Sequence, residues 1–249
     1  MLLDNKTAVV YGAAGSIGSA LAAGFAAEGA NCFLVGRTAA TLETVAGKIR
    51  ADGGRAETAV VDALDAAAVH DHAAALVEKT GSLDISVNVI SQDAIFGPLA
   101  GIPVTDFAHS MSRLVTSQLI TTQAAAKHMV AQESGVILFF GGSDYASRMP
   151  GLGTVQIGSD TIEALRRQWA CELGPQNIRV LTLRTGGIPE SLPDIPQTEA
   201  AKQAMIESTL LERAATFADI GHVAAFAASD RARSITDTQI DISCGAYAN

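Results

Sequence analysis

The sequence predicts an α/β protein whose parallel sheet is doubly wound and flanked by helices on both faces. Three observations carry that prediction. Short apolar, β-branched runs alternate with longer stretches of helical periodicity along the whole chain. The strand-like runs are continuously apolar rather than alternating, as strands buried on both faces are. The first of them ends in a glycine-rich turn, with Gly12, Gly15 and Gly18, that opens directly into a helical pattern.

Strands are expected at 7–11, 31–35, 56–61, 85–90, 135–140, 178–183 and 239–242, giving a seven-stranded sheet. Helices are expected at 16–28, 39–51, 66–79, 104–132, 154–173, 199–213 and 218–229, each long enough to be a crossover between parallel strands. Gly29 and Gly81 fall where the first and third helices should stop. Thr38 and Asp65 stand where a side-chain oxygen would cap the second and third. The proline-dense stretch 189–196 lies between a strand and a helix and reads as a loop or lid. No Pro/Ser-rich linker and no long internal repeat divides the chain, so residues 1–249 are expected to form one domain.

Composition removes whole classes of function. The 249 residues carry 17 Lys+Arg against 26 Asp+Glu, a formal charge of −9. Nucleic acids and anionic membranes require a basic face, so neither is expected as a partner, and a small-molecule substrate or effector is. Hydrophobic residues at 48% and charged residues at 17% supply a large core and exclude disorder. Cys32, Cys171 and Cys244 are odd in number and form no CxxC pair, which excludes a disulfide scaffold and a zinc ribbon and fits the cytoplasm. The N-terminus lacks a secretory pattern, and no apolar run is long enough to span a bilayer. His70 and His72 lie two apart on a helix and share no face, so no metal site is expected. There is no HExxH, GxSxG or P-loop lysine, so metalloprotease, hydrolase and NTPase readings fail.

Glycines at 12, 15 and 18 let the backbone turn tightly and approach a pyrophosphate. That group would sit on the N–H groups at the helix start, around Ser16 and Ile17. The second strand runs into Gly36-Arg37-Thr38. At this point a ribose 2′-hydroxyl calls for a carboxylate and a 2′-phosphate for an arginine. Arg37 supplies the cation, with Thr38 beside it and no acid, so NADP(H) is expected in preference to NAD(H). Asp62, followed by Ala63 at the end of the third strand, is placed to accept from the adenine amino group, although the same residue type also caps helices.

In this order the pieces resemble the short-chain dehydrogenase/reductase family over essentially the full length. The resemblance rests on the glycine turn, Val61-Asp62 and the run Leu83-Asp84-Ile85-Ser86-Val87-Asn88. It also rests on Glu172-Leu173-Gly174-Pro175 leading into Ile178-Arg179-Val180, and on the tail from Ala228-Ser229-Asp230 through Ile235-Thr236 to Cys244-Gly245. It implies a Rossmann-type fold, a nicotinamide cofactor and hydride chemistry. Asn88, Val89 and Ile90 stand with Ser91 at the family's Asn-Asn-Ala-Gly run, and Thr185-Gly186 stands at its Pro-Gly. The resemblance therefore implies that Asn88, Val89, Ile90, Gly186 and Ile188 border the cofactor. It also implies a homodimer or homotetramer through the helices at 104–132 and 154–173.

Family members use a Ser, a Tyr and a Lys four residues after the Tyr, usually with an Asn on the preceding helix. The tyrosine exchanges the substrate proton, the lysine lowers its pKa and holds the nicotinamide ribose, and the serine orients the carbonyl. An ungapped register puts Gly142, Val155, Ser159 and Leu114 at the Ser, Tyr, Lys and Asn positions. The enoyl-reductase spacing, Tyr seven before Lys, meets Leu152 and Ser159. Val155 carries no titratable proton and Ser159 no charge, so the usual proton relay is absent. Ser143 and Tyr145, in the polar run after the fifth strand, are the groups there able to polarise a carbonyl, with Asp144, Arg148 or Asp93 orienting charge. The expectation is an NADP(H)-binding oxidoreductase with an atypical active site, acting on an unknown small carbonyl or enone-type substrate. Two alternatives stay open: an inactive nicotinamide sensor or scaffold, and a non-redox cyclase or lyase that keeps the cofactor structurally.

Overall fold

The computed structural model describes residues 1–90, 93–141 and 150–246. Seven strands, β1 (Thr7–Tyr11), β2 (Asn31–Gly36), β3 (Arg55–Val60), β4 (Ile85–Asn88), β5 (Gly135–Phe140), β6 (Ile178–Thr185) and β7 (Thr238–Ile242), lie in one sheet. Their order is β3-β2-β1-β4-β5-β6-β7, and every neighbouring pair is parallel. The crossovers are α1 (Ser16–Ala27), α2 (Ala39–Ala51), α3 (Ala66–Thr80), α4 (Val104–Ala131), α5 (Thr154–Leu173), α6 (Pro196–Glu207) and α7 (Phe217–Ala228). The chain winds outward from β1 to β3, then returns to β4 and winds the other way. This leaves a switch point between β1 and β4, where α/β sheets hold ligands.

Strand alternation divides the core in two. Ala8 and Val10 of β1 face a cluster with Leu21 and Phe25 of α1, Leu42 and Ile49 of α2 and Ile220 of α7. Val9 and Tyr11 face the opposite cluster, with Leu76 of α3, Met129 of α4 and Ile162 and Leu173 of α5. On the first face α1 and α7 touch through their backbones: a Cβ on Gly24 would lie 2.5 Å from the Cα of Gly221. The exception to this packing is α6, which buries none of its residues.

Several boundaries differ from expectation for visible reasons. β4 stops at Asn88 because the Asn88 Oδ1 accepts from the Ile90 N–H at 2.9 Å, taking a donor that a strand ladder would use. β6 continues to Thr185 because β7 supplies partners, with Arg184 opposite Asp241 and Thr185 opposite Ile242. The sixth helix starts at Pro196, a favoured first-turn residue, rather than at 199. It ends at Glu207 rather than 213, and beyond it the Leu211 N–H donates to the Cys244 carbonyl, which ties this stretch to the tail. Asp65 caps α3 by accepting from the Ala68 N–H at 3.1 Å, and Gly81 ends that helix in the left-handed region. Thr38 occupies the N-cap position of α2 without capping it, which corrects the expectation. The first turn is held instead by the Thr41 hydroxyl donating to the Thr38 carbonyl at 3.0 Å. Among the described residues no helix is long and apolar enough to cross a membrane, and no cluster of His, Cys, Asp and Glu could hold a metal.

Candidate dinucleotide site

The carboxyl ends of β1 to β4 border a cavity of about 430 Å³ at the switch point. Its floor is the turn after β1. The N–H groups of Gly12 and Ala13 both donate to the Val35 carbonyl, at 2.9 and 3.3 Å, which anchors the turn to β2. The three glycines then do different things. A Cβ on Gly12, which sits at φ +82°, would lie 3.1 Å from the Val89–Ile90 backbone. A Cβ on Gly18 would lie 2.3 Å from the Gly12 carbonyl oxygen, so α1 rests directly on the turn. A Cβ on Gly15 would meet only the Gly12 oxygen, at 3.4 Å, and Gly15 lines the cavity. Packing thus requires glycine at 12 and 18 but leaves open space at 15.

That space lies over the start of α1. No side chain caps the helix, and the first of its N–H groups to find a helical acceptor is that of Ser19, on the Gly15 carbonyl at 2.8 Å. The N–H groups of Ser16, Ile17 and Gly18 precede it, and all three residues line the cavity. Unsatisfied donors, the positive end of the helix dipole and room for close approach together fit a diphosphate.

The connections after β2 and β3 form one flank, with Arg37, Thr38, Asp62 and Ala63 among the lining residues. Arg37 is exposed and forms no ion pair among the described residues. Asp62 Oδ1 accepts from the Leu64 N–H at 3.0 Å, a local turn bond. Val89 and Ile90 line the other flank. Asn88 lies behind that wall, buried, where its amide donates to the Ser117 carbonyl at 3.2 Å and to Thr121 Oγ1 at 3.0 Å. Gly186 and Ile188 are not among the lining residues; Ile188 packs in the hydrophobic core. Ser143, Tyr145 and Gly142 lie outside the described residues.

The residues that the family resemblance sets at the proton-relay positions are apolar or uncharged. Leu114 lines the cavity and is buried. Val155 and Ser159 are half-buried at the start of α5. That helix start is held to the segment after β4: Thr154 Oγ1 accepts from the Ile95 N–H and the Thr154 N–H donates to the Ile95 carbonyl, both at 3.0 Å. Burial pushes the Tyr11 hydroxyl pKa upward and the Cys32 thiol to about 12, so neither offers an acid or base near neutrality. Among the lining residues that sequence reasoning missed are Arg113 and Ser117 of α4. Arg113 Nε meets Asp93 Oδ2 at 2.8 Å, and Asp93 lines the cavity as well. The available signal was a charged residue immediately before Leu114 on an otherwise amphipathic helix.

A parallel sheet with a diphosphate cradle at its switch point defines a dinucleotide-binding protein of the Rossmann type. Residues 12–247 match the family model described as enoyl-(acyl carrier protein) reductase. The chain belongs to the short-chain dehydrogenase/reductase family, whose members are oxidoreductases that use a nicotinamide cofactor. It is 31% identical over 186 residues to gluconate 5-dehydrogenase of Gluconobacter oxydans (strain 621H), covering 74% of this chain and 72% of that one. It is 28% identical over 246 residues to 7alpha-hydroxysteroid dehydrogenase of Escherichia coli (strain K12), covering 98% and 94%. Among solved structures, NAD+-bound xylitol dehydrogenase superposes with a TM-score of 0.86 at 25% identity, over 97% of this chain and 99% of that one.

Proposed function

We propose that this chain binds NADP(H) and is an oxidoreductase with an atypical active site, acting on a small carbonyl or enone-type substrate. The observation that carries this reading is the continuity of one cavity from the open space at Gly15 to Arg37. When bound, the cofactor supplies or takes the hydride. The chain's own residues do the rest. The α1 N–H groups hold the diphosphate, Arg37 pairs with a 2′-phosphate, and Asp62 and Ala63 border the adenine. Val89 and Ile90 form the wall along the cofactor, with Gly186 and Ile188 behind its nicotinamide half. Leu114 excludes water from the cavity wall, and neither it nor Val155 can move a proton, so polarisation of the carbonyl falls to Ser143 and Tyr145. A homodimer or homotetramer through α4 and α5, in the cytoplasm, belongs to the same reading.

Fluorescence titration with NADPH and NADH tests the cofactor assignment. NADPH is expected to bind at least roughly tenfold more tightly, and Arg37→Gln to abolish that preference without lowering Tm, because Arg37 is exposed. Equal binding of the two, or tighter binding of NADH, overturns the preference. Consumption of NADPH followed at 340 nm across a carbonyl and enone panel tests the chemistry. The apolar Leu114 and Val155 favour one second reading, a nicotinamide sensor or scaffold. Tight NADPH binding with no turnover on any substrate would select it.

A further inference from the structure

The dinucleotide cavity is bounded from both faces of the sheet. α1 packs in one core cluster and α4 in the other, yet Ser16, Ile17 and Gly18 of α1 and Arg113, Leu114 and Ser117 of α4 line the same cavity. A short run of contacts places Arg113 beside the glycine turn. A Cβ on Gly12 would lie 3.1 Å from the Val89–Ile90 backbone, so that wall abuts the turn. Asn88, just before the wall, donates its side-chain amide to the Ser117 carbonyl at 3.2 Å. Arg113 precedes Ser117 by about one helical turn. As the crossover between parallel β4 and β5, α4 runs against the strand direction, so Arg113 stands a turn further out beyond the carboxyl end of β4. Arg37, Thr38 and Asp62 follow β2 and β3, on the other side of β1.

The turn offers dipoles but no charge. None of residues 12–18 is ionisable, and a helix N-terminus is equivalent to only about half an elementary charge, whereas a diphosphate is a dianion. Among the described residues that line the cavity, the cations are Arg37 and Arg113. Arg37 lies on the flank assigned to a 2′-phosphate, and Ser159, which the resemblance sets at the ribose-holding lysine, is uncharged. That leaves Arg113 as the described cation beside the turn. Its side chain is one-third exposed, and Asp93 Oδ2 holds its Nε edge at 2.8 Å. Its Nη1 and Nη2 make no hydrogen bond among the described residues. Those two groups form a rigid planar fork that matches two phosphate oxygens.

We propose that Arg113 closes the diphosphate site from the α4 face of the sheet. Its Nη fork takes phosphate oxygens while the α1 N–H groups hold the same diphosphate from the other face, and Asp93 positions the guanidinium. The proposal rests on the reading of this cavity as a dinucleotide site, but not on the preference for NADP(H). NADPH and NADH are titrated into the full chain by fluorescence. ADP-ribose, which keeps the diphosphate and lacks both the nicotinamide and the 2′-phosphate, is titrated calorimetrically. The three share the diphosphate, so Arg113→Gln is expected to weaken all of them by one common factor, at least roughly tenfold. The ratio of NADPH to NADH affinity should therefore stay at its natural value in Arg113→Gln, whereas Arg37→Gln shifts it. Arg113→Lys, which keeps the charge without the fork, should recover part of the loss, a recovery that a merely structural disturbance of α4 would not show. Natural affinities in Arg113→Gln, a loss confined to NADPH, a loss that spares ADP-ribose, or an Arg113→Lys as weak as Arg113→Gln overturns the proposal. If the natural protein binds none of the three, the dinucleotide reading falls and the proposal with it. Tight binding that Arg113→Gln does not change removes the role of Arg113 alone and leaves that reading in place.

Discussion

Replacing Gly15 by alanine separates what the fold needs from what the ligand needs. Gly15 has φ −76° and ψ 164°, which alanine adopts without strain, and its new Cβ would touch only the Gly12 oxygen at 3.4 Å. Loss of glycine at an N-cap costs a few tenths to about 1 kcal/mol, and the stiffer unfolded chain returns about 0.4–1 kcal/mol. Net stability should therefore change by under about 1 kcal/mol, or roughly 4 °C in Tm for a chain of this size. The ligand meets a different situation. An oxygen accepting from the α1 N–H groups must come within about 3 Å of them, and the methyl carbon fills that approach. Losing one charge-assisted bond at about 1.5–3 kcal/mol weakens NADPH roughly 10- to 100-fold. Gly18→Ala is the contrasting variant. Its Cβ would sit 2.3 Å from the Gly12 oxygen and 2.8 Å from the Ala13 Cα, both backbone atoms, so α1 must move. Overpacking of that kind costs about 1–3 kcal/mol, and Tm should fall by roughly 2–12 °C. Circular dichroism melting and NADPH fluorescence titration read both effects. Wild-type NADPH affinity in Gly15→Ala, or a Tm loss there as large as in Gly18→Ala, would refute the division of roles.

Asn88→Ala leaves the Ile90 N–H and the wall behind Val89 unsupported. We expect a loss of about 2–4 kcal/mol in urea unfolding together with weaker NADPH binding; a loss under about 1 kcal/mol with unchanged affinity would show that Asn88 does not hold the wall. Asp219 closes a capping box at the start of α7, and bonds from the Thr216 N–H and hydroxyl, with Arg213 nearby, hold its carboxyl below the usual carboxylate range. A depressed carboxyl stabilises the fold above its ordinary value near pH 4 and loses that contribution as pH falls through its lower native value. Asp219→Ala should thus be about 0.5–1 kcal/mol less stable at pH 7 and converge on the natural protein at lower pH, whereas a pH-independent gap would contradict this. Val155 and Ser159 are one helical turn apart on α5, so Val155→Tyr with Ser159→Lys places the family's pair on one face. Ketone reduction at 340 nm is expected in the double variant and in neither single one; a double variant that binds NADPH and stays at the natural rate would show that the missing pair is not the block.

The glycine turn was legible in the sequence because its requirement is local: three glycines between a strand and a helix mark a tight turn wherever they occur. β1, β5 and α5 were legible to the residue for the same reason, since an apolar run or a helical period is set by neighbours within one or two turns. Arg113 was not. It acquires meaning only from Asp93, twenty positions earlier, which the return of α4 along the sheet brings to within 2.8 Å of it. Asn88 was legible as a family position, but its place behind the wall depends on Ser117 and Thr121 of a helix that follows much later in the chain.

Local spacing alone settled the alternation of strands and crossovers and the parallel sheet that alternation demands. Those properties depend on residue type and on hydrogen bonds and burial that repeat over a few residues. Tertiary structure decided which glycine serves packing and which serves a ligand. Gly12 is confined by the backbone of residues 89 and 90, which follow β4 more than seventy residues later in the chain, and Gly15 is confined by almost nothing. Whether a Cβ meets an atom or empty space is a property of segments distant in the chain, and only their packing could make three similar glycines different.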